Sequence, residues 1–362
     1  MLFLAFVLSF LLAFSIIPVV IRIFKSLDLL DAPDRRKIHK YSTPAFGGIA
    51  FLIAILVAIA LAVPAGSLYE HKFLFGGLFL MFILGLRDDI SSLDANYKLL
   101  FQSLGAILAV YYADVRITDL HGLFGLDELP FWFSIGLSIF IVIALTNAFN
   151  LIDGIDGLAG SIGLLATSAL GFWFYLVGDS TYSILCIATV GALAAFIIFN
   201  WSPSKIFMGD TGSIFLGYLL ACSSIRFIEL SHLTTQTVFT INDPISLSIA
   251  FLILPIYDTL RVFIIRIYLG RSPFFPDKNH IHHILLKLGF SHSRSTSILI
   301  AFNISAVFAS YYIGQFSQSL ALLFLMVSSI AFGFVFDSKL KSLVKKQKEM
   351  RKSQGPMLSK SA

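Results

Sequence analysis

The sequence predicts an all-α polytopic membrane protein of about eleven transmembrane helices, with its active site at the cytoplasmic face. Three observations predict it: apolar composition, a lopsided distribution of basic residues, and unusual polar groups gathered on the same side. Of the 362 residues, 57% are hydrophobic, 13% are charged and 37 are Phe, with a mean hydropathy of +0.87. One or two water-soluble cores need far less apolar surface. A bilayer core about 30 Å thick takes roughly 20 apolar residues per helix. Eleven runs follow one another, at 2–24, 45–63, 72–86, 98–113, 131–149, 158–177, 182–200, 212–229, 246–268, 297–314 and 319–337. The third is short. Met1 to Ser15 carries no basic residue and the first run continues to Ile23, so it is expected to be a retained helix and not a cleaved signal peptide.

Lys and Arg concentrate on the side of a membrane protein that is not translocated. With eleven spans, the segments 22–44, 87–98, 200–211, 261–296 and 338–362 fall on one side and hold 23 of the 26 basic residues. Only Lys72, Arg116 and Arg226 lie opposite. The crowded side is expected to be cytoplasmic, which leaves the N-terminus outside and the C-terminus inside. The net charge of +5 then reflects topology, and no nucleic-acid partner is expected. An integral-membrane domain is expected over 1–337. A basic tail over 338–362 is read as topogenic and partly disordered, with contact to anionic lipid as the alternative. Cys186 and Cys222 have no metal or disulfide spacing and are read as packing residues.

Ionisable groups at membrane depth are costly, so they point to function. Asp88 and Asp89 end the third run in GLRDD, and Asn147, Asn150, Asp153 and Asp156 end the fifth in NAFNLIDGIDGLAG. Asp210 opens the eighth in FMGDTGS, and His280, His282 and His283 follow the ninth in SPFFPDKNHIHH. All of them fall in segments assigned to the cytoplasmic face. Adjacent acids at a helix end are often merely solvated, but beside a phosphate they suit Mg²⁺ or Mn²⁺, which take carboxylates, waters and phosphate oxygens. A second acid can orient an acceptor or take its proton. Asn147 and Asn150 share a helix face, and Asp153 joins them if the helix runs one turn further. Asp210 reads either as an N-cap or as part of a phosphate site at a helix start. The histidines, with Arg266 and Lys278 nearby, suit an anionic soluble ligand better than zinc, for which no Cys is close. Asp258 and Arg261, three apart on the ninth run, form either an intramembrane ion pair or a hold on the loop that follows.

These four motifs, in this order, resemble the polyprenyl-phosphate N-acetylhexosamine-1-phosphate transferases, most of all the bacterial undecaprenyl-phosphate N-acetylglucosamine-1-phosphate transferases. The resemblance covers the chain from about Ile38 to Asp337. The related phospho-muramoyl-pentapeptide transferases share the first three motifs and carry a different histidine loop, so HIHH argues for a donor without a peptide. The resemblance implies that Asp88 contacts the polyprenyl phosphate and that Asp210, Asn150 and Asp89 serve a Mg²⁺ or Mn²⁺ ion. Asp156 falls where the family contacts uridine, with Asp153 beside it, and Asn147, Arg266, Lys278 and the three histidines are expected to bind substrate. The sequence after the acid pair, ISSLDANYKLLFQ, departs from some close relatives, which leaves the branch and the sugar open.

The implied reaction passes a sugar 1-phosphate from a UDP-sugar to undecaprenyl phosphate in the bacterial inner membrane, releasing UMP. Its product is the first lipid-linked sugar of a cell-envelope polymer such as O-antigen or cell wall. The expected partners are therefore the UDP-sugar, undecaprenyl phosphate and membrane lipids, with a homodimer as an open alternative. UDP-N-acetylfucosamine and UDP-N-acetylquinovosamine are alternative donors. A transporter or flippase is the rival from another class, but it would place its polar groups near the midplane instead of at one face.

Overall fold

Each of the eleven apolar runs lies on a helix in the computed structural model of the protein, which describes residues 1–28, 43–123, 125–233, 241–272 and 279–354. In chain order the helices are α1 (Leu2–Ser26), α2 (Gly47–Ala62), the short α3 (Ala65–Glu70), α4 (Lys72–Ile90) and α5 (Ala95–Ile107). A π turn over Leu108–Tyr112 continues α5, and a hairpin of β1 (Asp119–Leu123) and β2 (Leu126–Glu128) follows. Then come α6 (Phe131–Ile152), α7 (Leu158–Leu176), α8 (Ser180–Asn200) and α9 (Gly209–Leu233). The last five are α10 (Pro244–Phe251), α11 (Ile253–Tyr268), α12 (Ile281–Lys287), α13 (His292–Gly314) and α14 (Gln318–Gln354).

Seven of these are long and apolar enough to cross a membrane: α1, α6, α7, α8, α9, α13 and α14. The chain is thus a multi-pass membrane protein, predominantly helical over the described residues. The ninth run departs from a single straight span, because α10 and α11 meet at a bend of 77° and together make an eighth candidate. A break at membrane depth frees carbonyls that lipid cannot satisfy. Here Asn303 of α13 donates to the carbonyls of Ala250 and Phe251, both at 3.3 Å. The other three runs fall on α2, α4 and α5. The first has 16 residues, about 24 Å at 1.5 Å per residue. Charge at its two ends sets α4 apart, and α5 has 13 residues before its π turn. Towards the C-terminus, α14 runs without interruption past Asp337 to Gln354, where a partly disordered tail was expected. Its Lys, Gln and Glu residues are strong helix formers.

At the centre stands α9, packed against α2, α4, α6, α7 and α10. Its neighbours come close because small residues face it. A Cβ added at Gly85 of α4 would lie 2.4 Å from the Asp210 carbonyl oxygen and 2.5 Å from the Thr211 Cα. At the opposite end of the bundle, Glu229 of α9 accepts from the Thr118 N–H at 2.8 Å and the Thr118 hydroxyl at 2.6 Å, tying down the hairpin. The three basic residues left on that side have local partners. Lys72 lies 3.8 Å from the Tyr69 ring centre, Arg116 bonds Asp114 at 2.7 Å, and Arg226 bonds Asp179 at 3.0 Å.

Because the atoms that a Cβ on Gly85 would meet are backbone, α4 and α9 must separate to admit it. Gly85→Ala is expected to lower the thermal midpoint of the purified protein and to reduce turnover, whereas Gly76→Ala, which meets nothing within 4 Å, is expected to leave both unchanged.

Candidate active site

The polar motifs meet where the end of α4, the end of α6 and the start of α9 converge. Asp88 and Asp89 are adjacent on α4, so their side chains leave the helix about 100° apart. They face different neighbours. Asp89 accepts the first amides of α9, from Asp210 N at 2.7 Å and Thr211 N at 2.9 Å, and also the Thr211 hydroxyl. Its two oxygens thus cap the positive end of the α9 dipole from another helix. Asp88 turns the other way. One oxygen accepts from Leu93 N at 2.7 Å, and the other forms an ion pair with the Lys98 ammonium.

Lys98, in the first turn of α5, also reaches Asp210 at 3.2 Å and so bridges the two carboxylates. In the sequence it stands only among the basic residues of the crowded side. The usable signal was its place, the one charged residue of α5, just after the acid pair. Asn150 of α6 completes the group, donating to Asp210 and to the Ser213 hydroxyl, each at 2.8 Å. Asn147 stands one turn back and is engaged differently. Its side chain and that of buried Gln102 exchange hydrogen bonds of 2.7 and 3.3 Å.

After Ile152 the helix stops, and Asp153 adopts φ −76° and ψ 57°, so it follows α6 without continuing its face. Burial, with Asp210, Asp89 and Asp156 nearby, pushes its carboxyl up to about 7. Asp156 behaves in the opposite way. Burial alone would raise it, but His292 at 3.3 Å and the hydroxyls of Ser202 and Ser204 hold it below the usual carboxylate value. Its backbone carbonyl accepts from Thr296 at 2.8 Å, so α13 fixes this loop. His292, Ser204 and Thr296 carried no sequence signal, since ordinary polar residues far apart in the chain become neighbours only on folding.

The histidines come to the same place from the other side. His282 is buried, and a Cβ on Gly154 would lie 2.2 Å from its Nε2, so only glycine lets the two loops touch. Burial and then the neighbouring rings of His283, His280 and His292 drive its pKa well below the ordinary histidine value, leaving a neutral ring. The ring centres of His282 and His283 are 4.3 Å apart, and those of His280 and His282 are 5.5 Å apart. Arg266 is buried in the last turn of α11. Lys278 lies outside the described residues. Among the described residues, no three His, Cys, Asp or Glu side chains form a ready-made metal cage. The carboxylate oxygens of Asp88 and Asp210 nonetheless suit a hard cation such as Mg²⁺ that completes its shell with waters and phosphate, with Asn150 presenting its amide nitrogen to Asp210.

The chain is similar to known proteins. Residues 71–228 match the family described as Glycosyl transferase family 4. A Bacillus subtilis (strain 168) protein named "Probable undecaprenyl-phosphate N-acetylglucosaminyl 1-phosphate transferase" is 31% identical over 360 residues, covering 96% of each chain. The chain belongs to glycosyl transferase family 4. The matched family segment holds Asp88, Asp89, Lys98, the α6 loop and Asp210, and the histidine loop lies beyond it. Two further relatives are a decaprenyl-phosphate N-acetylglucosaminephosphotransferase of Mycolicibacterium smegmatis and an undecaprenyl-phosphate alpha-N-acetylglucosaminyl 1-phosphate transferase of Escherichia coli (strain K12). The first is 32% identical over 74% of this chain and 71% of its own, and the second 30% over 77% and 74%.

The raised carboxyl of Asp153 has a measurable consequence. An unfolded Asp ionises near 3.8 but the folded one holds its proton to about 7, so this group makes stability fall as pH rises between those values. Asp153→Asn removes that slope. Its thermal midpoint, measured in EDTA, is expected to gain on the native protein from pH 5 to pH 7.5, and parallel curves would assign the slope elsewhere.

Proposed function

We propose that this family 4 chain transfers N-acetylglucosamine 1-phosphate from UDP-N-acetylglucosamine to undecaprenyl phosphate, releasing UMP, to start a cell-envelope polysaccharide. The observation that carries the reading is the cluster of Asp88, Asp210, Asn150 and Lys98 at one end of the bundle. The names of the relatives give it a substrate class. One phosphorus–oxygen bond forms as an acceptor phosphate oxygen attacks the sugar-proximal phosphorus, and the bond to UMP breaks. Little covalent work falls to the protein, so positioning and charge neutralisation supply most of the catalysis.

Asp210 and Asn150 would hold a Mg²⁺ or Mn²⁺ ion, with Asp88 beside them. When bound, the ion neutralises the diphosphate and polarises it towards attack. Asp88 orients the acceptor phosphate, and the Lys98 ammonium offers it a counter-charge. Asp89, expected among the metal ligands, is assigned instead to holding the start of α9 in place, because its oxygens accept from that helix. The loop of Asp153 and Asp156, with the histidines against it, takes the soluble donor. An apolar cavity of about 320 Å³ between α6, α9, α10 and α11, lined by residues such as Ala148, Ile228, Leu252 and Leu260, suits the prenyl chain. Exposed Phe140 and Leu260 mark its opening towards lipid.

The proposed topology is eleven spans with the N-terminus outside and the C-terminal tail in the cytoplasm, supported by the 23 basic residues on one side. A reporter fused after Lys352 is expected to report a cytoplasmic position. A periplasmic signal would invert the protein and move the acid cluster away from any cytosolic donor.

Purified protein given undecaprenyl phosphate, Mg²⁺ and a panel of UDP-sugars should release UMP fastest with the N-acetylglucosamine donor. Preference for the N-acetylfucosamine or N-acetylquinovosamine donor would reassign the sugar. Asp210→Asn is expected to cut turnover by roughly 100-fold, the scale of losing a preorganised electrostatic group. EDTA should abolish activity and Mg²⁺ or Mn²⁺ restore it, whereas full turnover in EDTA would remove the ion from the reaction.

A further inference from the structure

The histidine loop touches the α6 loop through His282, but its own hold on the protein comes from α11. Two side chains one turn apart supply it. Asp258, 1% exposed, accepts the Ile281 N–H on one oxygen at 2.7 Å and pairs with the His280 Nδ1 on the other at 2.8 Å. Arg261 donates to the Asn279 carbonyl at 2.6 Å. Its second terminal nitrogen reaches both oxygens of Asp337 on α14, at 2.7 Å each. The two residues therefore do not act as a simple pair. Each takes its own grip on the three residues immediately before His282.

The chemistry of this grip is specific. Ile281 opens α12, and its N–H is among those a helix start leaves without an internal partner, so Asp258 caps α12 from another helix. A carboxylate accepting from a ring Nδ1 also keeps the hydrogen on that nitrogen and fixes the plane of the imidazole. His280 stacks on His282 with the rings within 12° of parallel, so the orientation of one constrains the other. Arg261 adds a link to α14, the helix that continues beyond the apolar bundle.

We propose that Asp258 and Arg261 are positioning residues for the soluble donor, acting through Asn279, His280 and Ile281 to hold His282 against Gly154 at the edge of the acid cluster. The inference rests on reading the histidine loop as the donor side of the site. His280 becomes an intermediary in this arrangement, and His282 the ring nearest the α6 loop. The acceptor side, at Asp88 and Lys98, takes no part in the latch.

Asp258→Asn is the discriminating change. It keeps the size of the side chain and an oxygen for Ile281 N–H, but it presents an NH₂ to the ring and removes the acceptor that fixes the His280 tautomer. Full-length protein carrying Asp258→Asn, Arg261→Gln, His280→Ala, His282→Ala or the Asp258→Asn/His280→Ala pair would be purified. For each, KM for UDP-N-acetylglucosamine, KM for undecaprenyl phosphate and the melting midpoint would be measured. Asp258→Asn and Arg261→Gln are each expected to raise the donor KM about 10-fold, the scale of depriving a buried polar group of its partner, with little change in acceptor KM. Once His280→Ala is present, Asp258→Asn should add nothing, because Asp258 works through that ring.

Additive effects in the double variant, or equal shifts in both KM values with a lower melting midpoint, would make the contacts merely structural and overturn the proposal. Arg261→Gln carries the test by itself if Asp258→Asn does not fold. A raised donor KM in His282→Ala with none in Asp258→Asn or Arg261→Gln would sink the latch and spare the donor reading. An unchanged donor KM in His282→Ala as well would remove both.

Discussion

The Asp89 carboxylate sits on the amides of Asp210 and Thr211 in the first turn of α9, and the site is assembled around that joint. A helix start carries a partial positive charge and donors that the helix itself cannot satisfy. In water an acid there contributes a fraction of a kcal/mol. Between packed helices, where solvent does not compete, charge-assisted hydrogen bonds are worth about 1.5–3 kcal/mol each. This joint ties the end of α4 to a residue 121 positions later in the chain. With α9 fixed, Asp210 in its first turn has one place to be, and Asn150 and Lys98 close on it from α6 and α5.

The cluster that results is short of positive charge. Asp88 and Asp210 share Lys98, Asp89 is satisfied by amides, and Asp153, through burial first and the neighbouring acids second, retains its proton to about 7. Three residues on, Asp156 ionises readily because His292 and two serines attend it. Neighbouring carboxyl groups with opposite protonation preferences are a recurrent sign that a site has separate tasks for each. The arrangement awaits cationic charge on one side and presents a ready anion on the other.

Much of this was legible in the sequence, because membrane burial makes polar residues conspicuous. The apolar runs located the helices, and the acids, asparagines and histidines stood out against them at one end. What stayed hidden depended on direction and distance. Nothing in GLRDD tells which acid faces α9 and which faces Lys98, since that follows from how α4 is rotated in the bundle. Asn147 looks like a site residue by its company, yet its amide is matched with Gln102. Asp258 and Arg261 look like partners at helical spacing, but each has a better one elsewhere. The bend at Leu252 had no glycine to announce it, and the residue that satisfies its carbonyls, Asn303, lies about 50 positions away.

That bend has a further consequence for how concentration is counted. The apolar cavity lies beside it and is lined by the exposed Phe140 and Leu260, so on the proposed reading its prenyl occupant enters sideways from lipid instead of from water. Whatever fills it arrives by lateral diffusion within a film two molecules thick. Occupancy is then governed by mole fraction among the surrounding lipids and not by amount per litre. Adding detergent or lipid at constant volume dilutes such an occupant as surely as adding buffer dilutes a soluble one, and the two substrates of one turnover obey different measures of abundance.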